Sequence, residues 1–297
     1  MGVERDNGLS SLLVDREPTR LCSGFEFTEG PVWVSERDAL LFSDIPANAI
    51  YQWRPATQAA QPYRQPSGHS NGLTLDRNGY LLACEHSGRR VSRAAWLGPA
   101  TAVASHWQDK RLNSPNDIVV HRGGAIYFTD PDYGFSPGEG EPGAVRELDF
   151  HGVYRISPAG ELDLLTDTVN TPNGLAFSPD ESILYVGDSR VRNVQRFPVL
   201  PDGMLGPGEL FVDMGDDPRE GVTDGMKADE AGRLWITGPG GIWVVDPDGS
   251  LLGEFILPEL PANLTFGGED FSTLFVTART SVYQIRTRVR GIAPGSR

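Results

Sequence analysis

The sequence holds only two cysteines, no apolar run long enough to span a bilayer, and few windows of more than a dozen residues free of both glycine and proline. Each scarcity removes a class of protein. Cys22 and Cys84 sit in apolar surroundings and read as buried thiols rather than as a disulfide framework. A membrane helix needs roughly 18 to 20 unbroken apolar residues, so no membrane partner is expected. With 35 glycines and 23 prolines among 297 residues, long helices are excluded, because these two residues are the least tolerated in a helix interior. The opening MGVERDNGLSSLLVDREPTR lacks the basic stretch and apolar run of a secretion signal, so a cytoplasmic location is the expectation. Positive charge is short as well: 26 Lys and Arg against 40 Asp and Glu leave a net charge of -14, which opposes a phosphate backbone and sets nucleic acid aside. The five histidines, at 69, 86, 106, 121 and 151, show no paired ligand spacing, which argues against a zinc centre.

What the chain does have is a period. TEGPVW, SNGLTLD, PNDIVVH, PNGLAFS, TDGMKAD and PANLTFG each open a unit, and their polar residues Glu29, Asn71, Asn116, Asn173, Asp224 and Asn263 are 42, 45, 57, 51 and 39 positions apart. Every unit continues through a polar turn into a second apolar strand: ALLFSD, YLLACE, AIYFTD, ILYVGD, RLWITG and TLFVTA. From opening residue to the end of that strand the distance is 14 or 15 in all six. With the β-like stretches that follow, each unit reads as a meander of about four strands. Such units bury their faces by radial packing, and six predict an all-β, six-bladed β-propeller with a central metal site. A β-sandwich would not require the same polar residue at the same point of every repeat. Residues 1–18 are expected as an arm or cap and 19–297 as one propeller domain, closed by TRLCSGFEF pairing with the last blade so that no sheet edge is left open. Trp33, Trp235 and Trp243 fall on strand positions and are assigned to the core. The sixth unit departs from the rest, because NLTF brings its apolar residue one place early, which predicts an Asn263 offset from the axis.

In a propeller, the start of the inner strand and the end of the antiparallel second strand share one face. The opening residues and Asp44, Glu85, Asp130 and Asp188 are therefore expected around one oxygen-rich mouth. Carboxylates crowded near an axis repel and are costly to bury unpaired, so a cation is implied. Amide and carboxylate oxygens suit hard ions, Ca²⁺ before Mg²⁺, because the larger shell of about 6 to 8 oxygens accommodates neutral amides. A single Asn-Gly before a strand is ordinary turn chemistry. Six openings in one register point instead to a shared site, whether the ion serves chemistry or only staples the blades.

The motifs EGPVW, LLFSDIP, SPNDIVV, IYFTDPDYG, PNGLAFSPD, TDGMKADEAGRLW and FGG, spread from Glu26 to Arg279, resemble the gluconolactonase and senescence-marker-protein (regucalcin) family, and FTDPDYG resembles its bacterial sugar-lactonase branch. The resemblance implies Glu29, Asn173 and Asp224 as metal ligands, Asn116 as a fourth pocket residue, and hydrolysis of a small-molecule sugar lactone such as glucono-1,5-lactone. Ser114 stands where the animal branch has an arginine, so animal-type substrate contacts do not carry over. For the general base Asp224 comes first and Asp130 second. Asn71, Glu85, His86, Asn116, Asp130 and Tyr133 are expected to meet the substrate or shape the entrance, although His86 reads as readily as a cap and Tyr133 as turn packing. The insertion 134–152, too polar and Gly-rich for core, is expected as a lid. Hydrolysis of other lactones or organophosphate esters, and a propeller that binds a partner protein, are the rival readings.

Overall fold

The two registers of the sequence become the two innermost strands of each blade. In the computed structural model, which describes residues 1–295, the inner strands are Thr28–Val34, Ser70–Leu75, Ile118–Val120, Pro172–Phe177, Met226–Ala228 and Asn263–Gly267. The last two positions of the expected 19–297 span lie outside the described residues. The second strands, Ala39–Asp44, Leu81–Glu85, Ile126–Asp130, Ile183–Asp188, Leu234–Gly238 and Thr273–Ala278, end on the residues of the second register. Blades 1 to 4 are four-stranded antiparallel meanders in chain order. Blade 6 takes Thr19–Ser23 as its outer strand, paired with Ser281–Arg286, and blade 5 gains a fifth strand from Gly2–Asp6, paired with Leu251–Ile256. The chain is thus a six-bladed propeller whose ring is closed by an N-terminal strand.

One apolar cluster fills each gap between neighbouring blades. Leu175, Leu184 and Val186 of blade 4 pack on Tyr127 and Val153 of blade 3, and Trp235 of blade 5 packs against Leu264 and Phe266 of blade 6. Trp243 lies between blades 4 and 5. Between blades 6 and 1, Trp33 stacks on Phe275 with centroids 5.1 Å apart and planes 7° from parallel. Removing either ring of that pair would cost about 3–5 kcal/mol. Cys22 and Cys84 are free thiols.

The glycine that follows four of the six polar openings has a packing reason. In blades 1, 2 and 4 the inner strand slips register by one residue, between Glu29 and Val32, Ser70 and Leu73, and Pro172 and Leu175, which is a β-bulge. Near the bulge the next inner strand comes so close that only hydrogen fits. A Cβ on Gly30, which has φ +52°, would lie 2.0 Å from the Asn71 carbonyl oxygen, and one on Gly174 would lie 2.1 Å from that of Asp224. Blade 6 pairs Asn263 with Thr277 and Leu264 with Val276 without a slip, which explains its early apolar residue. Among the described residues the only helical pieces are short 3-10 turns, and no helix is long and apolar enough to cross a membrane.

Candidate active site

The opening residues stand at the starts of the six inner strands, which neighbour one another around the ring. Glu29, Asn71, Asn116, Asn173 and Asn263 are buried, while Asp224 keeps some contact with solvent. Glu29 Oε2 accepts hydrogen bonds from the Gly30 N–H (2.6 Å) and from Asn263 Nδ2 (3.0 Å), and Asn263 Oδ1 accepts from the Leu264 N–H (2.8 Å). Asn263 therefore fixes Glu29 instead of facing the axis freely. The Asn173 side chain faces both Asp224 and the Tyr133 hydroxyl.

Charge accumulates here. Burial pushes the Glu29 carboxyl up to about 7, and the neighbouring charge of Asp117 adds to the rise. Burial holds Asp224 well above the usual carboxylate range, with Glu29 and then Asp117 raising it further. Asp117 was not singled out by the sequence reading. It is buried, its Oδ1 accepts the Ile118 N–H (2.9 Å), and its Oδ2 has no hydrogen bond, the nearest cation being Lys227 Nζ at 3.9 Å. The signal for it lay in the repeat: four of the six openings are followed by glycine, whereas blade 3 has an aspartate there.

Glu29, Asp117 and Asp224 repel one another, and carboxylate and amide oxygens are the donor types a hard divalent cation prefers. The oxygens of Glu29, Asn173, Asp224 and Asn116 are of the chemical type such an ion takes. Among the described residues no three His, Cys, Asp or Glu side chains are arranged as a ligand group, so the set depends on its amides.

The second register does something different from lining the mouth. Asp44 accepts the N–H groups of Glu26 (3.1 Å) and Phe27 (3.0 Å), Asp188 those of Asn170 (2.8 Å) and Thr171 (3.3 Å), and Asp130 that of Asn113 (2.8 Å). In each case the carboxylate at the end of the second strand ties down the loop that delivers the opening residue of its own blade. Loop amides that would otherwise be buried without partners require this. Asp130 has no exposed surface, its Oδ1 has no partner, and burial pushes its carboxyl up to about 7. Glu85 is not brought into the group either, because Arg90 takes its carboxylate through Nε (2.6 Å) and Nη2 (3.3 Å). The next-to-last residue of the second strand stitches neighbouring blades together in blades 1, 3 and 5: Ser43 Oγ donates to the Asn71 carbonyl (2.8 Å), Thr129 Oγ1 to that of Asn173 (2.7 Å), and Thr237 Oγ1 to that of Ala262 (2.7 Å).

A loop from blade 3, the segment expected as a lid, reaches His86 of blade 2 and Ser189 of blade 4. Tyr133 hydrogen-bonds the Ser189 hydroxyl of blade 4. Ser114 Oγ donates to the Pro131 carbonyl (2.7 Å) and accepts the Gly134 N–H (3.0 Å), so this serine shapes the loop base. His86 is held near 4 by burial and is neutral at physiological pH. Its Nδ1 lies 3.0 Å from the Glu139 carbonyl and its Nε2 lies 3.5 Å from Asn71 Nδ2, which sets the tautomer: Nδ1–H donates to the lid and Nε2 faces a donor. Arg89 is buried under the same loop and donates to the carbonyls of Leu112 (2.8 Å) and Val145 (3.1 Å) and to Glu147 (3.3 Å). Contrary to a purely polar reading of 134–152, Leu148 joins the core beside Leu112, Phe128 and Tyr154 and so anchors the segment.

Residues 27–280 match the family described as SMP-30/Gluconolactonase/LRE-like region. The chain is 34% identical over 295 residues to a gluconolactonase of Zymomonas mobilis subsp. mobilis, covering 91% of this chain and 81% of that protein. It is 29% identical to a pentonolactonase of Haloferax volcanii, over 84% of this chain and 80% of the other. The solved structure of a gluconolactonase from Xanthomonas campestris superposes with a TM-score of 0.88 at 33% identity, covering 96% of this chain and 94% of that one.

Proposed function

This chain belongs to the SMP-30/gluconolactonase/LRE-like family, and on that premise we propose that it hydrolyses sugar lactones at the propeller mouth, opening glucono-1,5-lactone to the aldonic acid with the help of a divalent cation, Ca²⁺ before Mg²⁺. The observation that carries this reading is the group of Glu29, Asn173 and Asp224: two carboxylates held high by burial, the charge of Glu29 adding to the rise of Asp224, and an amide that faces both Asp224 and the Tyr133 hydroxyl of the blade-3 loop. Its likeness to gluconolactonase and pentonolactonase relatives gives the reaction class. The rival readings, organophosphate esters or a protein partner, have no comparable support at this mouth.

In this reading Glu29, Asn173 and Asp224 hold the cation, with Asn116 beside them. When bound, it supplies the electrophile for the lactone carbonyl and the countercharge for the oxyanion that develops there. The chain does the rest. Asp224, the opening carboxylate still in contact with solvent, takes the proton from the attacking water, and Asn173 orients it. Asn263 and the Gly30 N–H hold Glu29 in one rotamer. Asp130, with no exposed surface, serves the 113–114 loop and through it the placement of Asn116. Tyr133 and the lid limit bulk water, and the neutral His86 latches that lid without acting as a base. The test is acid release from glucono-1,5-lactone above its spontaneous hydrolysis, with and without chelator. A rate no greater than that of buffer would end the proposal.

A further inference from the structure

Blade 5 lacks the device that holds the delivering loops of blades 1, 3 and 4. Those blades end the second strand on a carboxylate that takes loop amides, but blade 5 ends it on Gly238, where a Cβ would lie 2.8 Å from Met214 Sδ. No carboxylate fits there. Blade 6, which ends on Ala278, reverses the arrangement: Glu259 of its own delivering loop accepts the Thr280 N–H (2.8 Å) and the Tyr283 hydroxyl (2.9 Å). The blade 5 loop, residues 214–223, leads into Asp224 and needs another anchor.

Arg219 supplies it. Its Nε donates to Asp217 Oδ1 (2.9 Å) and its Nη2 to Asp217 Oδ2, a two-pronged grip within the loop. The same guanidinium reaches outward, through Nη2 to Glu254 Oε2 and through Nη1 to Glu4 Oε2 (3.2 Å). Glu254 has no exposed surface and lies on Leu251–Ile256, while Glu4 lies on Gly2–Asp6, the added strand that pairs with it. Arg5 of that added strand also meets Glu254, at 3.1 Å. The guanidinium packs against the turn just past Gly238, because a Cβ on Gly240 would come 2.7 Å from its Nε. From there the chain is pinned twice more: the Glu220 carbonyl accepts the Gly240 N–H (2.8 Å), and the Asp224 N–H donates to the Thr237 carbonyl (3.1 Å).

We propose that Arg219 is the positioning residue for Asp224, standing in for the carboxylate that blade 5 lacks, and that the N-terminal strand is its outer tether through Glu4. The role of Asp224 rests on the lactonase reading above, to which this adds what holds that carboxylate in place. A planar guanidinium can grip several carboxylates at once, whereas a lysine brings the charge without the fork. Placement matters to rate, since a shift of about 1 Å can cost on the order of 10²-fold.

The test measures kcat and KM on glucono-1,5-lactone, together with amide hydrogen exchange along the chain, for the wild type, Arg219→Ala, Arg219→Lys and Glu4→Gln. Arg219→Ala should lower kcat about tenfold or more with KM within about twofold, and should speed exchange in 214–224 while the loops before Asn173 and Asn263 stay protected. Arg219→Lys should recover part of both losses. Glu4→Gln leaves Asp217 and Glu254 paired and should shift both readouts the same way by about two- to fivefold, so it decides the matter if Arg219→Ala fails to fold. An unchanged kcat overturns the assignment, and so does exchange that stays as in the wild type or rises equally in every blade. A wild type that leaves the lactone untouched removes the lactonase reading, and exchange alone then decides whether Arg219 holds the loop.

Discussion

Thr129 offers a single hydroxyl through which the inter-blade stitch can be measured. It has no exposed surface, its Oγ1 donates to the Asn173 carbonyl at 2.7 Å, and the same oxygen accepts the Asp117 N–H at 3.1 Å. Thr129→Val keeps the shape and removes both partners from buried backbone groups. At about 1–3 kcal/mol for each group deprived of its partner, the pair predicts a loss of roughly 2–6 kcal/mol. Thr129→Ser keeps the hydroxyl and loses one methyl, for about 1 kcal/mol. Both ends of the stitch are site residues, so the valine variant should also weaken cation binding while the serine variant leaves it near wild type. Urea unfolding of the three proteins, followed by a Ca²⁺ titration of each, reads both effects. If valine proved as stable as serine, the bridging hydroxyl would carry no net stability and the account of blade docking would be wrong.

Further outcomes follow from the same geometry. Asp224→Asn should keep the fold and a ligand oxygen yet lower kcat by about 10²-fold or more on glucono-1,5-lactone, and full activity would rule out its role as base. Ca²⁺ at about 100 times its Kd should raise the unfolding free energy by about 2.7 kcal/mol over protein in chelator; identical unfolding curves would count against the ion. Asp130, raised from 3.8 to about 7 by burial, holds its proton more tightly when folded than when unfolded, so its contribution makes stability fall as pH rises between about 4 and 7 and is level on either side. That contribution amounts to up to roughly 4 kcal/mol, and Asp130→Asn should flatten it in denaturation curves taken at pH 4.5 and 7.5. Parallel pH profiles for the two proteins would refute the burial argument.

The blades were legible because spacing is a property of the chain: the polar openings and the strands 14 or 15 residues later fixed six meanders, and the structure places strand ends on those residues. Side-chain direction was less legible. Asp44, Asp130 and Asp188 looked like lining for the mouth because they share its face, but each has at least one oxygen taken by the amide three residues before its opening, a demand visible only once those loops are placed. The glycines read as turn formers, whereas Gly30 and Gly174 meet the neighbouring blade's carbonyl, a contact between residues some 40 to 50 positions apart. Asp117 was hidden by the regularity itself, since its meaning lies in being the exception.

The hydrogen bond between Asn263 and Glu29 joins positions 234 apart, across the same seam at which Thr19–Ser23 completes the last blade. A ribosome releasing this chain would have presented Glu29 long before the amide that orients it existed. The proposed ligand cluster is therefore born at ring closure and not before, and an ion held there at full strength would certify a finished molecule. Partly synthesised or opened chains would be told apart from completed ones by their failure to retain it.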